Sequence, residues 1–185
     1  LNTLYVSSDN GITSGPVRAY EFLVYAPSNP VAYWPLDSFN GHNFTDQVIG
    51  SALTVRSGVS WLADSRYIGA NAAEFNGVSD VGYASGVVSG LDTTKSFSVG
   101  AWVRPSSLAT GNRTAVAQDS ATIVSGFYLG WQQLGSPLQP YWRFVVPNFP
   151  AAVSSTPLTS ADVNRWVYLL GVFDAVDKTV SLYIN

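Results

Sequence analysis

The chain has 185 residues and a formal net charge of -3, with 46% hydrophobic and only 11% charged residues. Average soluble domains carry roughly 25% charged residues, so this surface must consist mostly of small polar side chains and backbone, which favours uncharged partners. The nine basic residues are scattered along the sequence. This argues against nucleic acid as a partner, because its binding needs clustered lysine and arginine.

The sequence contains no cysteine and no methionine. Disulfides, thiolate metal sites and cysteine nucleophiles are therefore excluded. The longest apolar run, 166–173, is far too short to cross a bilayer, and no signal peptide is recognisable. We expect no membrane insertion, and an export signal would have to lie upstream of Leu1.

Two strand-like runs open the chain, at Leu4–Ser8 and Ala19–Ala26. The Asn10-Gly11 pair between them supplies the positive φ that a tight turn needs. Two strands alone are marginally stable, so this hairpin either packs on the domain after it or closes a domain before it. We prefer the second interpretation, with residues 1–27 as closing strands and the polar residues 28–30 as a linker stiffened by proline.

From Val31 onward the pattern predicts a series of β-strands. The clearest lies within residues 96–105, where every second position is apolar: Phe97, Val99, Ala101 and Val103. This alternation is typical of a strand with one buried face. Four further runs of the same kind lie at Gly126–Gln132, Tyr141–Pro147, Trp166–Asp174 and Thr179–Asn185. We therefore predict an all-β fold, a two-sheet antiparallel sandwich.

Shorter elements complete the prediction. Strands are expected at Val31–Leu36, Ala52–Arg56, Ala72–Asn76 and Asp80–Ala84, each bounded by turn residues, and residues 38–50 are expected to form a loop. The segment Ala161–Arg165 fits a single helical turn, with Thr159 or Ser160 as its cap.

Seven segments in order resemble the strands of a laminin-G-like, concanavalin A-like jelly roll. They are AYWPLD at 32–37, AEFNG at 73–77, FSVGAWVRP at 97–105, GFYLGW at 126–131, WRFVV at 142–146, WVYLLGVFD at 166–174 and VSLYIN at 180–185. The resemblance implies a jelly-roll sandwich over residues 31–185. The residues before Pro27 resemble the closing strands of an immunoglobulin-like module. Further strands come after the LYIN-type strand in this family, so we expect a C-terminally incomplete sandwich cut from a longer polypeptide.

Catalytic patterns are missing from the sequence. Retaining glycosidases share this architecture and need two carboxylates roughly 5 Å apart, but Glu21 and Glu74 are the only glutamates. Asp174 and Asp177 flank a predicted hairpin turn, where aspartate side chains commonly bond nearby amides. The single histidine, His42, lies in a polar loop without a G-x-S-x-G motif. We predict that the chain is not an enzyme and requires no cofactor.

Calcium is the one metal that the sequence leaves open. Its ligands are carboxylate, amide and backbone oxygens from loops, and the candidates here are Asp37, Asp46, Asn76 and Asp80. The resemblance implies that some members hold a structural calcium ion at the rim of the sandwich near equivalent turns. The alternative is that these residues only form turns around neighbouring glycines.

Exposed aromatic residues are the second candidate signal, because sugar rings stack on them. Segments Gly126–Gln132 and Tyr141–Pro147 fit a hairpin in which one set of alternate residues fills the core. The other set, Tyr128, Gln132, Tyr141 and Arg143, would form a polar, aromatic groove. The alternative is that the two tyrosines also belong to the core.

These observations favour a non-catalytic, extracellular binding module for a glycan or a protein ligand. It would belong to a large modular secreted or cell-surface protein, bacterial by its resemblance, and would contact other domains of the same polypeptide. The alternative is a structural spacer, or a shell domain of a large toxin or adhesin, without a ligand of its own.

Overall fold

Two antiparallel β-sheets face each other across a core of aromatic and aliphatic side chains. A computed structural model describes residues 30–36, 43–48, 50, 52–56, 58–63, 71–84, 88, 90–118 and 126–185. All of these except Pro30 belong to one structural unit, Val31–Asn185. The predicted N-terminal hairpin, its immunoglobulin-like character and most of the linker lie outside the described residues.

The strands of the described part are short in the first half of the unit and longer in the second. In chain order they are β1 (Asn43–Thr45), β2 (Ala52–Arg56), β3 (Ser60–Leu62), β4 (Ala72–Glu74), β5 (Val81–Ala84), β6 (Phe97–Val103), β7 (Arg113–Gln118), β8 (Phe127–Leu134), β9 (Gln139–Val145), β10 (Ala152–Val153), β11 (Val167–Asp174) and β12 (Thr179–Ile184). A 3₁₀ turn spans Ser160–Asp162. The predicted all-β class is therefore confirmed.

Four sheets result from the pairing of these strands. Sheet I has the order β10-β9-β8-β7, and sheet II has the order β12-β11-β6. A three-stranded sheet joins β1, β2 and β5, and a two-stranded sheet joins β3 and β4. The neighbours in sheets I and II all pair antiparallel, as the predicted sandwich requires.

The hydrophobic core lies between sheets I and II. Its buried members are Phe127, Leu129, Trp142, Phe144, Val146, Leu158, Val167, Leu169 and Phe173. The alternate residues of β6 pack against this cluster and are less exposed than their neighbours. Phe97 of sheet II lies 5.3 Å from Phe127 of sheet I, measured between ring centroids. The predicted inner face of β6 is therefore confirmed.

Gly171 allows the two sheets to approach closely at the centre of the core. A Cβ atom there would lie 2.5 Å from Cδ2 of Phe144, on the opposing sheet. A real Cβ does not come this near a ring, so the Phe144 ring occupies the space that the missing side chain leaves. The glycine in the LLGVFD sequence is thus a packing requirement.

Asp174 closes the hairpin between β11 and β12, as the sequence predicts. Its Oδ1 accepts hydrogen bonds from the backbone N–H groups of Val176 at 2.8 Å and Asp177 at 3.2 Å. The bonds from Asp177 and Val176 favour the ionised carboxylate and lower the pKa of Asp174 below its ordinary value. This carboxylate has a structural role in the turn.

A helical turn is also present, at Ser160–Asp162 instead of the predicted Ala161–Arg165, and Thr159 caps it. The Thr159 hydroxyl accepts from the N–H of Ala161, and Oδ2 of Asp162 accepts from the N–H of Thr159 at 2.7 Å. This reciprocal arrangement is a capping box.

The prediction of a strand at Val31–Leu36 is wrong. The backbone of Tyr33 bonds elsewhere: its N–H donates to Oδ1 of Asp46, and its carbonyl accepts from the N–H of Gln47. Pro35 cannot donate to a ladder, and Leu36 has a φ of 56°, which an extended strand does not contain.

Four strands were not expected from the sequence: β1, β3, β7 and β10. Strand β1 lies inside the segment predicted as a loop, residues 38–50, and pairs with β2. None of the four has a run of alternating apolar residues long enough to stand out, so pairing with a neighbour determines their extended conformation.

Candidate functional site

A groove of about 360 Å³ lies on the face of sheet I that points away from sheet II. Strands β8 and β9 line it with Tyr128, Gly130, Trp131, Gln132, Arg143 and Val145. The start of β7 adds Asn112, Arg113 and Thr114. We call this feature the Gly130 groove. Its volume lies near the lower end of the range of small-ligand sites, about 300–1,000 Å³.

The register between β8 and β9 places the groove residues opposite one another. Tyr128 pairs with Val145, Gly130 with Arg143, and Gln132 with Tyr141. The intervening residues Leu129, Trp142 and Phe144 enter the core, since successive side chains of a strand point to opposite faces. Trp131 is partly buried against the core and also lines the groove. From Tyr128 to Gln132 the strand rises about 13 Å, which is long enough for at least one sugar ring.

Gly130, between Tyr128 and Gln132, is the point where the backbone of β7 comes closest to β8. A Cβ atom at this position would collide with the carbonyl oxygen of Arg113 and lie 2.9 Å from Cα of Thr114. The register between β7 and β8 shifts between Thr114 and Val116, which marks a β-bulge beside Gly130. The bulged backbone of β7 therefore closes one side of the groove, and only glycine fits opposite it.

Side-chain hydrogen bonds attach the segment before β7 to β8. The indole Nε1 of Trp131 donates to the carbonyl of Gly111 at 3.3 Å, and the N–H of Gln133 donates to Oδ1 of Asn112 at 3.1 Å. Nη1 of Arg113 donates to the carbonyl of Asn112 at 2.9 Å. These bonds hold the β7 edge of the groove in place.

The groove carries positive charge. Two of its lining residues are arginines, and among the described residues none that lines it is an aspartate or glutamate. The Nε of Arg143 is buried without a hydrogen-bond partner in this part of the chain. A buried donor without a partner costs about 1–3 kcal/mol.

Three of the four residues predicted to bind a ligand line this one groove: Tyr128, Gln132 and Arg143. Tyr141 is half-buried and lies opposite Gln132, next to the lining residues. Tyr128 is 40% exposed, so its ring is not part of the core.

The contribution of β7 was missed by the sequence analysis. Arg113 and Thr114 begin this strand and Asn112 precedes it; its sequence, RTAVAQ, has weak alternation of apolar and polar residues. A signal was nevertheless present: an isolated glycine inside a strand, here Gly130, indicates a bulge or a close backbone approach.

The candidate calcium ligands are only partly brought together. Asp37 lies outside the described residues, as does His42. Asp46 is 1% exposed, and its Oδ1 accepts from the N–H groups of Tyr33 at 2.7 Å and Val48 at 3.0 Å. Asn76 and Asp80 share one turn.

In this turn the oxygens of Asn76 and Asp80 already accept hydrogen bonds. Oδ1 of Asn76 accepts from three backbone N–H groups, those of residues 78, 79 and 80. The Asp80 carboxylate accepts from the N–H of Gly58 and from both the backbone and the amide of Asn76. The described residues contain no group of three or more acidic, histidine or cysteine side chains suited to a metal.

Structural calcium stays a prediction, and thermal unfolding tests it. If Asn76 and Asp80 bind Ca²⁺, adding calcium to chelator-treated protein should raise Tm. A ligand that binds only the native state stabilises that state by about 2.7 kcal/mol when the free ligand concentration is 100 times Kd. Asp80→Asn would remove that rise. A Tm that is the same with calcium and with chelator would assign these residues to the turn alone.

The fold and the groove together define a β-sandwich with a ligand-sized site on the outer face of one sheet. A laminin-G-type family model, described as the concanavalin A-like lectin/glucanases superfamily, matches residues 76–185, more than half of the chain. The chain belongs to this laminin-G-like family. The matched region contains every residue that lines the Gly130 groove.

Comparison with curated proteins and with solved structures gave no match. The laminin-G-like family suggests a binding module, but its description names both lectins and glucanases, so membership identifies no ligand. In the described part of the chain, no helix has the length and apolar character needed to span a membrane.

Proposed function

We propose that the chain is a non-catalytic, extracellular binding module that holds a glycan in the Gly130 groove. It acts as one domain of a larger modular protein, secreted or displayed on a bacterial cell surface. The observation that carries this proposal is the gathering of Tyr128, Gln132 and Arg143 around one groove of ligand size.

The chemistry of the groove supports a sugar as the ligand. Tyr128 offers a partly exposed ring on which the apolar face of a sugar can stack. Gln132, Asn112 and Thr114 supply amide and hydroxyl groups that bond sugar hydroxyls in both directions.

The same residues argue against hydrolysis in this groove. Glycosidases of the usual kind need a pair of carboxylates beside the scissile bond, and the described lining residues include no acidic side chain. Asp174, which lies close to Asp177 in the sequence, accepts hydrogen bonds from backbone N–H groups of the β11–β12 turn. Binding without turnover is therefore the function that these side chains support.

Replacing Tyr128 and Tyr141 by alanine tests the proposal. Tyr128→Ala is expected to weaken glycan retention about tenfold or more, because Tyr128 lines the groove and aromatic contacts carry much of the affinity of a site. A smaller loss is expected for Tyr141→Ala, since Tyr141 lies beside the lining residues. Binding would be measured on a printed array of neutral and acidic oligosaccharides, and folding by near-ultraviolet circular dichroism and Tm.

Tyr183→Ala is the matched control, since Tyr183 is 58% exposed and lies on β12 of sheet II. It should bind as the native chain does. Unfolding of the Tyr128 and Tyr141 variants would assign both rings to the core. If the native chain binds no oligosaccharide on the array, the result would favour a structural spacer or shell domain instead.

A further inference from the structure

The charge of the Gly130 groove is opposite to that of the chain as a whole. The sequence has twelve acidic and nine basic residues. The groove nevertheless contains two arginines, and none of the described residues that line it is acidic. A local excess of one charge in a concave site attracts ligands of the other sign.

Arg143 is placed to meet such a ligand. It lies on the groove face of β9, directly opposite Gly130, and lines the groove together with Arg113. Within the described residues, neither Arg143 nor Arg113 forms an ion pair. The Nε of Arg143 also has no hydrogen-bond partner there.

A guanidinium in a site without acids is typical of anion recognition. Arginine is planar, remains charged at all physiological pH values, and matches the two oxygens of a carboxylate with parallel N–H groups. A structural arginine on a sheet would instead be expected to pair with an acid on the adjacent strand. Its cross-strand neighbours here are Gly130 on β8 and Val153 on β10, and neither is charged.

We infer that the Gly130 groove selects a glycan that carries a carboxylate, as uronic and other acidic sugars do, and that Arg143 binds this group. The inference rests on the proposed function, which supplies the glycan, and it specifies the sugar class. Tyr128 and Gln132 then hold the ring of the same or the next sugar, while Arg143 distinguishes acidic from neutral residues.

A paired glycan array tests the inference. Each acidic oligosaccharide is printed beside its methyl ester, which keeps the sugar and removes the charge, and beside a sulfated analogue. We expect the native chain to bind acids at least tenfold more tightly than their esters, and the difference to shrink as salt screens the charge.

Three variants assign the preference to one residue. Arg143→Gln should reduce the ratio of acid to ester binding to about one, and Arg143→Lys should retain part of it, because lysine keeps the charge but loses the planar fork. Arg165→Gln removes an equal charge at an exposed position outside the groove and should leave the ratio unchanged. Tm of each variant reports whether it is folded.

The outcomes separate the two proposals. Equal binding of acids and esters that is lost in Tyr128→Ala would overturn the carboxylate inference and leave the glycan module in place. A preference that survives Arg143→Gln in a folded protein, or stronger binding of the sulfated analogues, would also overturn it. Absence of binding to every glycan would reject both.

Discussion

Phe144→Ala is expected to lower the free energy of unfolding by about 3–5 kcal/mol, the usual cost of truncating a buried phenylalanine. The side chain is 0% exposed. Its ring centroid lies 6.2 Å from those of Phe97 on sheet II and Phe127 on sheet I. The ring also covers Gly171, which has no side chain to fill the resulting cavity.

Urea denaturation followed by circular dichroism measures this loss. Tyr183→Ala is a suitable control, because its ring is largely exposed on β12 and a surface substitution of this kind changes stability by about 0.5 kcal/mol or less. If Phe144→Ala costs no more than Tyr183→Ala, sheets I and II do not pack through this ring, and the sandwich of these two sheets is incorrect.

Gly130→Ala is the second substitution with a large expected effect. We expect a loss of about 1–3 kcal/mol in the free energy of unfolding, the usual cost of inserting a methyl group where no space exists. The obstructing atoms belong to the β7 backbone: the carbonyl oxygen of Arg113, Cα of Thr114 and the nitrogen of Ala115. A backbone bulge cannot rotate aside as a side chain can.

The same substitution should also weaken glycan binding in the fraction that remains folded, since the methyl group would displace the β7 backbone at Arg113 and Thr114, which line the groove. Gly58→Ala is the matched control, because a Cβ atom at Gly58 has no atom of another residue within 4 Å. Equal stability of the two variants would mean that the bulge of β7 does not press on Gly130 in solution.

Local sequence pattern was sufficient to predict five long strands of the sandwich, β6, β8, β9, β11 and β12, but not β7, whose alternation is weak. The alternation of Phe97, Val99, Ala101 and Val103 places one face of β6 against the core, and β2 has the predicted bounds. The alternating residues of β8 and β9 likewise separate into core and groove sets, as expected. In each case the pattern lies within one strand, so it can be recognised without knowing which strand pairs with it.

The short strands could not be predicted in this way. Strands β1 and β3 have three residues each and β10 has two, so no period can be recognised in them. The segment Val31–Leu36 shows the opposite error, since its apolar composition favours a strand while the bonds of Tyr33 to Asp46 and Gln47 fix a different conformation.

The candidate site, like the fold, was predictable from the sequence only in part. The sequence by itself determined which residues of β8 and β9 share the outer face, because side-chain direction alternates along every strand. Only the tertiary structure decided that this face contains a groove: the bulge in β7, its close approach to Gly130 and the position of Arg143 opposite that glycine depend on register between strands. Register is set by contacts between residues distant in sequence, so the shape and charge of the site result from packing.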